Sequence, residues 1–181
     1  MPDSLTLKAL NDLFADHDGV VDADERKGQL RQMRSIIQAG IVFPDKPVSQ
    51  GETAVFSVER AAQLRVLQTL LDIGIKGPVL ARFAARLTAT PDVRTGGNHP
   101  GTAIAMAVEG TRAGENWILN VLISRHRDTG AIDYLGGLHR ADEERNPISD
   151  QIQMAGRVFY ATVTLPVSDL IAPILQAMEA E

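Results

Sequence analysis

A stretch rich in proline and glycine separates two parts of the 181-residue chain that differ in hydrophobic pattern. Residues 91–101 contain two prolines and three glycines. Proline lacks a backbone donor and glycine favours turns, so this stretch interrupts any regular helix or strand. We therefore predict a linker at 91–101 between an N-terminal domain at 1–90 and a C-terminal domain at 102–181.

The first ninety residues carry apolar side chains at helical spacing. A helix is predicted over 5–15, capped by Ser4 or Thr6. A second helix is predicted over 24–39; Asp22 or Asp24 suits its N-terminus, and Gly40 its end. A third helix is expected to start within 57–59 and to end at Gly74, and a fourth is expected to follow from Pro78.

The second predicted helix has two chemically different faces. At about 100° per residue, one side carries Leu30, Met33 and Ile37, which we expect to pack. The adjacent side is polar and mostly basic, and consists of Lys27, Arg31, Arg34 and Gln38. A solvated helix surface and a face that binds a partner are both compatible with this pattern.

A net charge of −5 conceals an uneven distribution of charge. The first 90 residues hold 11 basic and 11 acidic side chains, whereas the remaining residues hold 7 and 12. No carboxylate occurs between Arg26 and Pro44, where four cations lie close together. This concentrated positive segment is typical of a surface that contacts phosphates.

Two short apolar segments, 41–43 and 53–56, flank a loop that contains proline and glycine. Both are predicted to be extended, and together they form a hairpin, or wing, at 44–55 that carries Lys46. The order of elements predicted for the first ninety residues is therefore helix, helix, wing, helix and helix.

The run from Gln32 to Phe83 resembles the winged-helix DNA-binding domain of MerR-type transcription regulators. The likeness rests on Arg34-Ser35-Ile36-Ile37, Gly40-Ile41-Val42 with Pro44, Phe56-Ser57-Val58-Glu59, and the apolar series Leu64, Leu67, Leu70, Leu71, Gly74, Ile75 and Leu80. The resemblance implies a sequence-specific regulator that reads the DNA major groove with helix 24–39 and adds a wing at 44–55. A second interpretation keeps the winged helix but not promoter control, as in a phage-type DNA-packaging or recombination accessory factor.

The residue types suit contacts with double-stranded DNA. Arginine pairs with guanine edges and glutamine with adenine edges, so Arg31, Arg34 and Gln38 are candidate readers of bases. Basic residues near the start of the helix or in the wing more naturally contact phosphates, and these are Arg26, Lys27 and Lys46.

The second half is predicted to contain strands at 103–108, 117–123, 131–138 and 158–165, with a closing helix from Ser168. The whole chain is therefore expected to be α+β, with an N-terminal helix-turn-helix or winged-helix domain and a small C-terminal antiparallel sheet with a terminal helix. MerR-type regulators usually dimerise through a coiled coil, which residues 88–101 interrupt. A homodimer is thus expected through 102–181, although this domain suits an effector or a partner protein as well.

Catalysis and metal binding are not expected. The chain has no cysteine, and His99, His126 and His139 lack the spacing of a helical metal site. An enzyme active in the second half is the weakest alternative, so we predict no catalytic residues, no metal and no cofactor. Apolar runs fall short of the roughly 20 residues of a membrane span, which indicates a cytoplasmic, nucleoid-associated protein with no membrane partner.

Overall fold

A computed structural model describes residues 4–46, 53–90, 101–143 and 155–180. These residues form six helices, a two-stranded antiparallel sheet and a three-stranded antiparallel sheet. The predicted α+β class is confirmed. No helix within the described ranges is long and apolar enough to cross a membrane.

The helices of the first ninety residues begin and end close to the predicted positions, although residues 5 and 6 of the predicted first helix form a short strand. Thr6 caps the first helix, since its hydroxyl accepts a hydrogen bond from the Ala9 amide at 3.2 Å. Asp22 caps the second helix and accepts from the Asp24 and Glu25 amides, both at 2.9 Å. The elements are β1 (Leu5–Thr6), α1 (Leu7–His17), α2 (Ala23–Gln38), β2 (Val55–Phe56), α3 (Val58–Asp72) and α4 (Pro78–Thr88).

The remaining elements are α5 (Ala103–Arg112), β3 (Trp117–His126), β4 (Ile132–Arg140), β5 (Arg157–Pro166) and α6 (Val167–Glu179). Strand β3 is central in the order β4-β3-β5, and both of its pairings are antiparallel. Helix α6 packs on β3, and α4 and α5 pack against β4. The predicted antiparallel sheet and closing helix are therefore present.

The prediction of a strand at 103–108 is wrong, because this segment is the start of helix α5. Ile104, Ala107 and Val108 are buried at helical spacing, and the Thr102 hydroxyl accepts a hydrogen bond from the Ala105 amide at 3.2 Å. A short apolar run is ambiguous between helix and strand. Here the alanine content and the threonine cap favour the helix.

The chain after α2 differs from the predicted hairpin. Residues 41–43 are not a strand; they follow Gly40, and the Val42 side chain turns into the core. The antiparallel bridge nearest the predicted wing joins Lys46 to Val55, and β2 pairs with β1. Residues 47–52, the centre of the predicted wing at 44–55, lie outside the described residues.

Apolar side chains from both halves of the chain pack in one continuous core. Helix α3 is central to it and contacts α2, α4, α5 and α6. Its Leu64, Leu67 and Leu70 are fully buried, as are Ile171 and Ile174 of α6. The predicted linker at 91–101 falls almost entirely outside the described residues, and the division into domains stays a prediction.

Candidate nucleic-acid interface

Helix α2 carries five of the six residues predicted to contact DNA, and it packs against α1 and α3. Met33 and Ile36 are its fully buried side chains. Leu30 and Ile37, which the sequence assigned to the packed face, are only half-buried. The packed face is thus rotated from the predicted one, and Leu30 and Ile37 lie along the edge of the basic face.

Arg26 is held within the protein. Its Nε donates a hydrogen bond to the Val20 carbonyl at 2.8 Å, and its Nη2 contacts the Asp16 carboxylate at 2.5 Å. The side chain is 31% exposed. This guanidinium joins the end of α1 and the following loop to the first turn of α2, so it contributes to the placement of the helix.

A second arginine also holds this loop. Arg65 of α3 makes a two-pronged ion pair with Asp18, in which Nη1 and Oδ2 are 2.9 Å apart and Nη2 contacts Oδ1. Its side chain is 4% exposed, and its guanidinium carbon lies 5.0 Å from the centroid of the Phe14 ring. This buried contact ties the loop between α1 and α2 to the central helix of the core.

The rest of the basic face is accessible. Lys27, Arg31, Arg34 and Gln38 are all exposed. Lys27 pairs with Asp24 at 2.9 Å on the surface, and Arg31 Nε donates to the Lys27 carbonyl at 3.3 Å. Arg34 makes no hydrogen bond or ion pair with any described residue. Two guanidiniums one helical turn apart are therefore free of carboxylate partners in the described parts of the chain.

Lys46 is exposed and forms an isolated antiparallel bridge with Val55 of β2. The backbone around it is held by a hydrogen bond from the Asp45 amide to the Val55 carbonyl at 3.0 Å. The Asp45 carboxylate also accepts from the Ser57 amide at 2.5 Å, at the start of α3. These bonds link Lys46 to the segment between the predicted wing and the next helix.

Four of the six predicted residues line one groove of about 650 Å³ between α1, α2 and residues 53–54. They are Arg26, Lys27, Arg34 and Gln38, whereas Arg31 and Lys46 lie outside it. Helix α1 supplies the opposite wall with Leu7, Lys8, Asn11 and Asp12. Sequence reasoning missed this wall, because no linear pattern relates α1 to the face of α2 that it meets.

Asp133 of β4 pairs with two arginines, one on α4 and one on β5. Asp133 contacts Arg82 at 3.2 Å and Arg157 at 3.1 Å. Burial alone would raise the pKa of the Asp133 carboxyl, but the Tyr134 amide and the two guanidiniums hold this pKa below its ordinary value. Asp133 is thus an ionised partner within the sheet.

The histidines do not assemble into a metal centre in the described part of the chain. No group of three or more histidine, cysteine, aspartate or glutamate side chains able to hold a metal occurs among the described residues. His139 Nε2 lies 3.1 Å from the Asn120 amide nitrogen, and the Asn120 oxygen accepts from Thr164 at 2.6 Å. His99 lies outside the described residues.

Comparison with models of known protein families finds no match to this chain, and comparison with curated proteins finds none either.

Proposed function

We propose that this protein is a sequence-specific DNA-binding transcription regulator that places α2 in the major groove of double-stranded DNA. The observation that carries the proposal is the exposed stripe of Arg31, Arg34 and Gln38 on α2, in which neither guanidinium has a carboxylate partner among the described residues. Carboxylates neutralise Arg26 and Lys27 within the chain, but not these two.

The dimensions of α2 support this placement. A helix of 16 residues is about 24 Å long and, with its side chains, about 10–12 Å wide, which matches the width of the major groove. Arg31 and Arg34 suit bidentate contacts with guanine, and Gln38 suits adenine. The caps and the two arginine contacts that anchor the preceding loop make α2 a rigid element, which base recognition requires.

Lys27 and Lys46 are the proposed phosphate contacts. Arg26 instead holds the first turn of α2 in place through its contacts within the protein. The order of β1, α1, α2, β2 and α3, with β1 paired to β2, is compatible with a winged-helix arrangement in which Lys46 lies at the base of a wing. Phosphate contacts of this kind position a protein on DNA but do not select a sequence.

The test is a binding titration across salt concentrations on a duplex selected from a random-sequence pool. Two phosphate contacts per protomer, Lys27 and Lys46, predict a log-log slope of affinity against salt of about −1.8 for one half-site, and about twice that for a dimer on a palindrome. Footprinting on genomic DNA is expected to reveal discrete protected sites. A slope near zero would exclude DNA binding, and uniform coating or a preference for DNA ends would exclude the regulator.

We further propose that two copies associate through residues 102–181, along the free edge of β5. Among the described residues, β5 pairs with β3 alone. Its ten residues contain one charge, Arg157, and expose Val158, Phe159 and Tyr160 by 41%, 52% and 49%. An edge strand of this length with so little charge can pair with another strand through its backbone groups. Two-fold pairing of β5 with its copy would join two three-stranded sheets.

Two separate variants, each with one valine changed to lysine, test the proposed association. Val158→Lys places a charge on the proposed edge of each copy, and burying both lysines in the interface opposes pairing, so the dissociation constant of the dimer is expected to rise at least tenfold. The control is Val21→Lys, because Val21 is 90% exposed in the loop before α2. Sedimentation measures the dissociation constant of the dimer for both variants. A wild-type chain that stays monomeric at high concentration, or an equal effect of the two variants, would contradict the interface.

A further inference from the structure

The groove between α1 and α2 is lined by both apolar and basic side chains. Leu7, Leu30, Ile37 and Ala54 supply apolar surface, and the lining cations are Lys8, Arg26, Lys27 and Arg34. A volume of about 650 Å³ lies within the range of roughly 300–1,000 Å³ typical of small-molecule sites. A macromolecular helix of several turns would need more room than this groove provides.

One polar side chain in the wall of the groove is buried. Asn11 is 5% exposed, and its Oδ1 accepts no hydrogen bond from any described residue. An unmet buried acceptor of this kind destabilises a fold, so such groups are uncommon. Asn11 also lines the groove, so a rotation of its side chain would bring the buried Oδ1 to a donor carried by a ligand.

The charges around the groove favour an anion. Asp12 is the one carboxylate among the described lining residues, against four cations. Two of these cations, Arg26 and Lys27, already pair with Asp16 and Asp24. Lys8 and Arg34 have no ion pair within the described chain, and they stand on opposite walls, on α1 and α2.

We propose that this groove binds a small organic anion that has an apolar body, a carboxylate and a hydrogen-bond donor. The apolar body lies against Leu7, Leu30 and Ile37, the carboxylate meets Lys8 and Arg34, and the donor reaches Asn11 Oδ1. Resting on the proposed DNA-binding function, we add that the bound anion competes with DNA, since both use Arg34.

The site is tested on the full chain with 3-hydroxydecanoate, which combines the three features. Calorimetric titration is expected to show saturable binding of this probe. Its methyl ester, which lacks the charge, and decanoate, which lacks the hydroxyl donor, are expected to bind about tenfold and about fivefold more weakly. Absence of saturable binding at millimolar probe, or equal binding of all three compounds, would overturn the proposal.

Two arginine variants distinguish binding in the groove from a general attraction of the anionic probe to positive charge. Arg34→Ala is expected to weaken the probe about tenfold. Arg31→Ala removes the same charge three residues away, outside the groove, and is expected to change affinity less than twofold. Asn11→Leu is expected to abolish the preference for 3-hydroxydecanoate over decanoate, and thermal unfolding checks that this variant folds. Equal effects of the two arginine variants would overturn the site.

Competition is measured separately, by repeating the DNA titration with saturating probe. The apparent affinity for DNA is expected to fall at least tenfold, and an unchanged affinity would overturn the competition. The two proposals fail in different ways. A chain that binds DNA but not the probe refutes the anion site alone, whereas one that binds the probe but no DNA refutes the DNA-binding function and the competition.

Discussion

Replacing Asp18 with asparagine is expected to lower the free energy of unfolding by about 3 kcal/mol, the largest effect on stability that we predict for a single substitution. Asparagine keeps the shape but leaves the Arg65 guanidinium charged, 4% exposed and without its two-pronged partner. Removing one member of a buried ion pair typically costs about 3–5 kcal/mol, because the remaining charge stays desolvated. Because Asp18 is partly exposed, the expected loss of stability lies at the lower end of this range.

Chemical denaturation at neutral pH measures this loss. The matched control is Asp142→Asn, because Asp142 contacts Arg140 at 3.2 Å but its side chain is 77% exposed. An exposed pair contributes at most about 1 kcal/mol. Adding Arg65→Met to the Asp18 variant removes the unpaired charge and is expected to restore part of the stability. A loss below 1 kcal/mol for Asp18→Asn would contradict the importance of this contact.

The double variant Arg31→Ala, Arg34→Ala is expected to bind its DNA site about 100-fold more weakly than the wild type. Each bidentate contact between arginine and guanine contributes about 1–3 kcal/mol, and both would be lost. The log-log slope of affinity against salt is expected to stay near that of the wild type, because Lys27 and Lys46, the proposed phosphate contacts, are unchanged. Alanine is the best helix former, so α2 is expected to remain intact.

Fluorescence anisotropy at several salt concentrations measures both quantities. A control that removes the same charge elsewhere is Lys76→Ala, Arg127→Ala, since both residues are exposed and lie off α2. Its affinity for DNA is expected to fall less than threefold. Unchanged affinity in the α2 variant would refute the recognition helix. An equal loss of affinity in the control would show that net charge alone accounts for the interaction.

Helix boundaries were predictable where the signals were local. The second helix was expected at 24–39 and occupies Ala23–Gln38, because Asp22 caps its start and Gly40 follows its end with a φ of 67°. A cap acts within a few residues of its own position, and therefore it can be recognised in a linear sequence.

The segment 103–108 shows where this reasoning fails. An apolar run of six residues is long enough for a strand and short for a helix, and its periodicity alone does not decide. The contacts of α5 with α3 and α6 bury one side of the run, which is the arrangement that a helix satisfies. A helix and a strand at 103–108 would each need different neighbouring elements to cover their apolar side chains. The sequence pattern does not contain that information.

The candidate interface was partly predictable in the same sense. The concentration of cations on α2 follows from the absence of carboxylates between Arg26 and Pro44. The pairing of Arg26 with Asp16, across a turn, was not foreseen, and neither was the meeting of Lys8 and Asn11 with the face that carries Arg34. These contacts depend on how α1 packs on α2.

The sequence by itself determined the α+β composition, most helix ends, the three strands of the larger sheet and the basic face of α2. Spacing, caps and local charge act over a few residues, so they can be read along the chain. Only the tertiary structure decided which face of α2 is buried, that α3 contacts both α2 and α6, and that the residues beside the basic face form a groove. Such contacts join residues that are distant in sequence, and their partners are selected by packing.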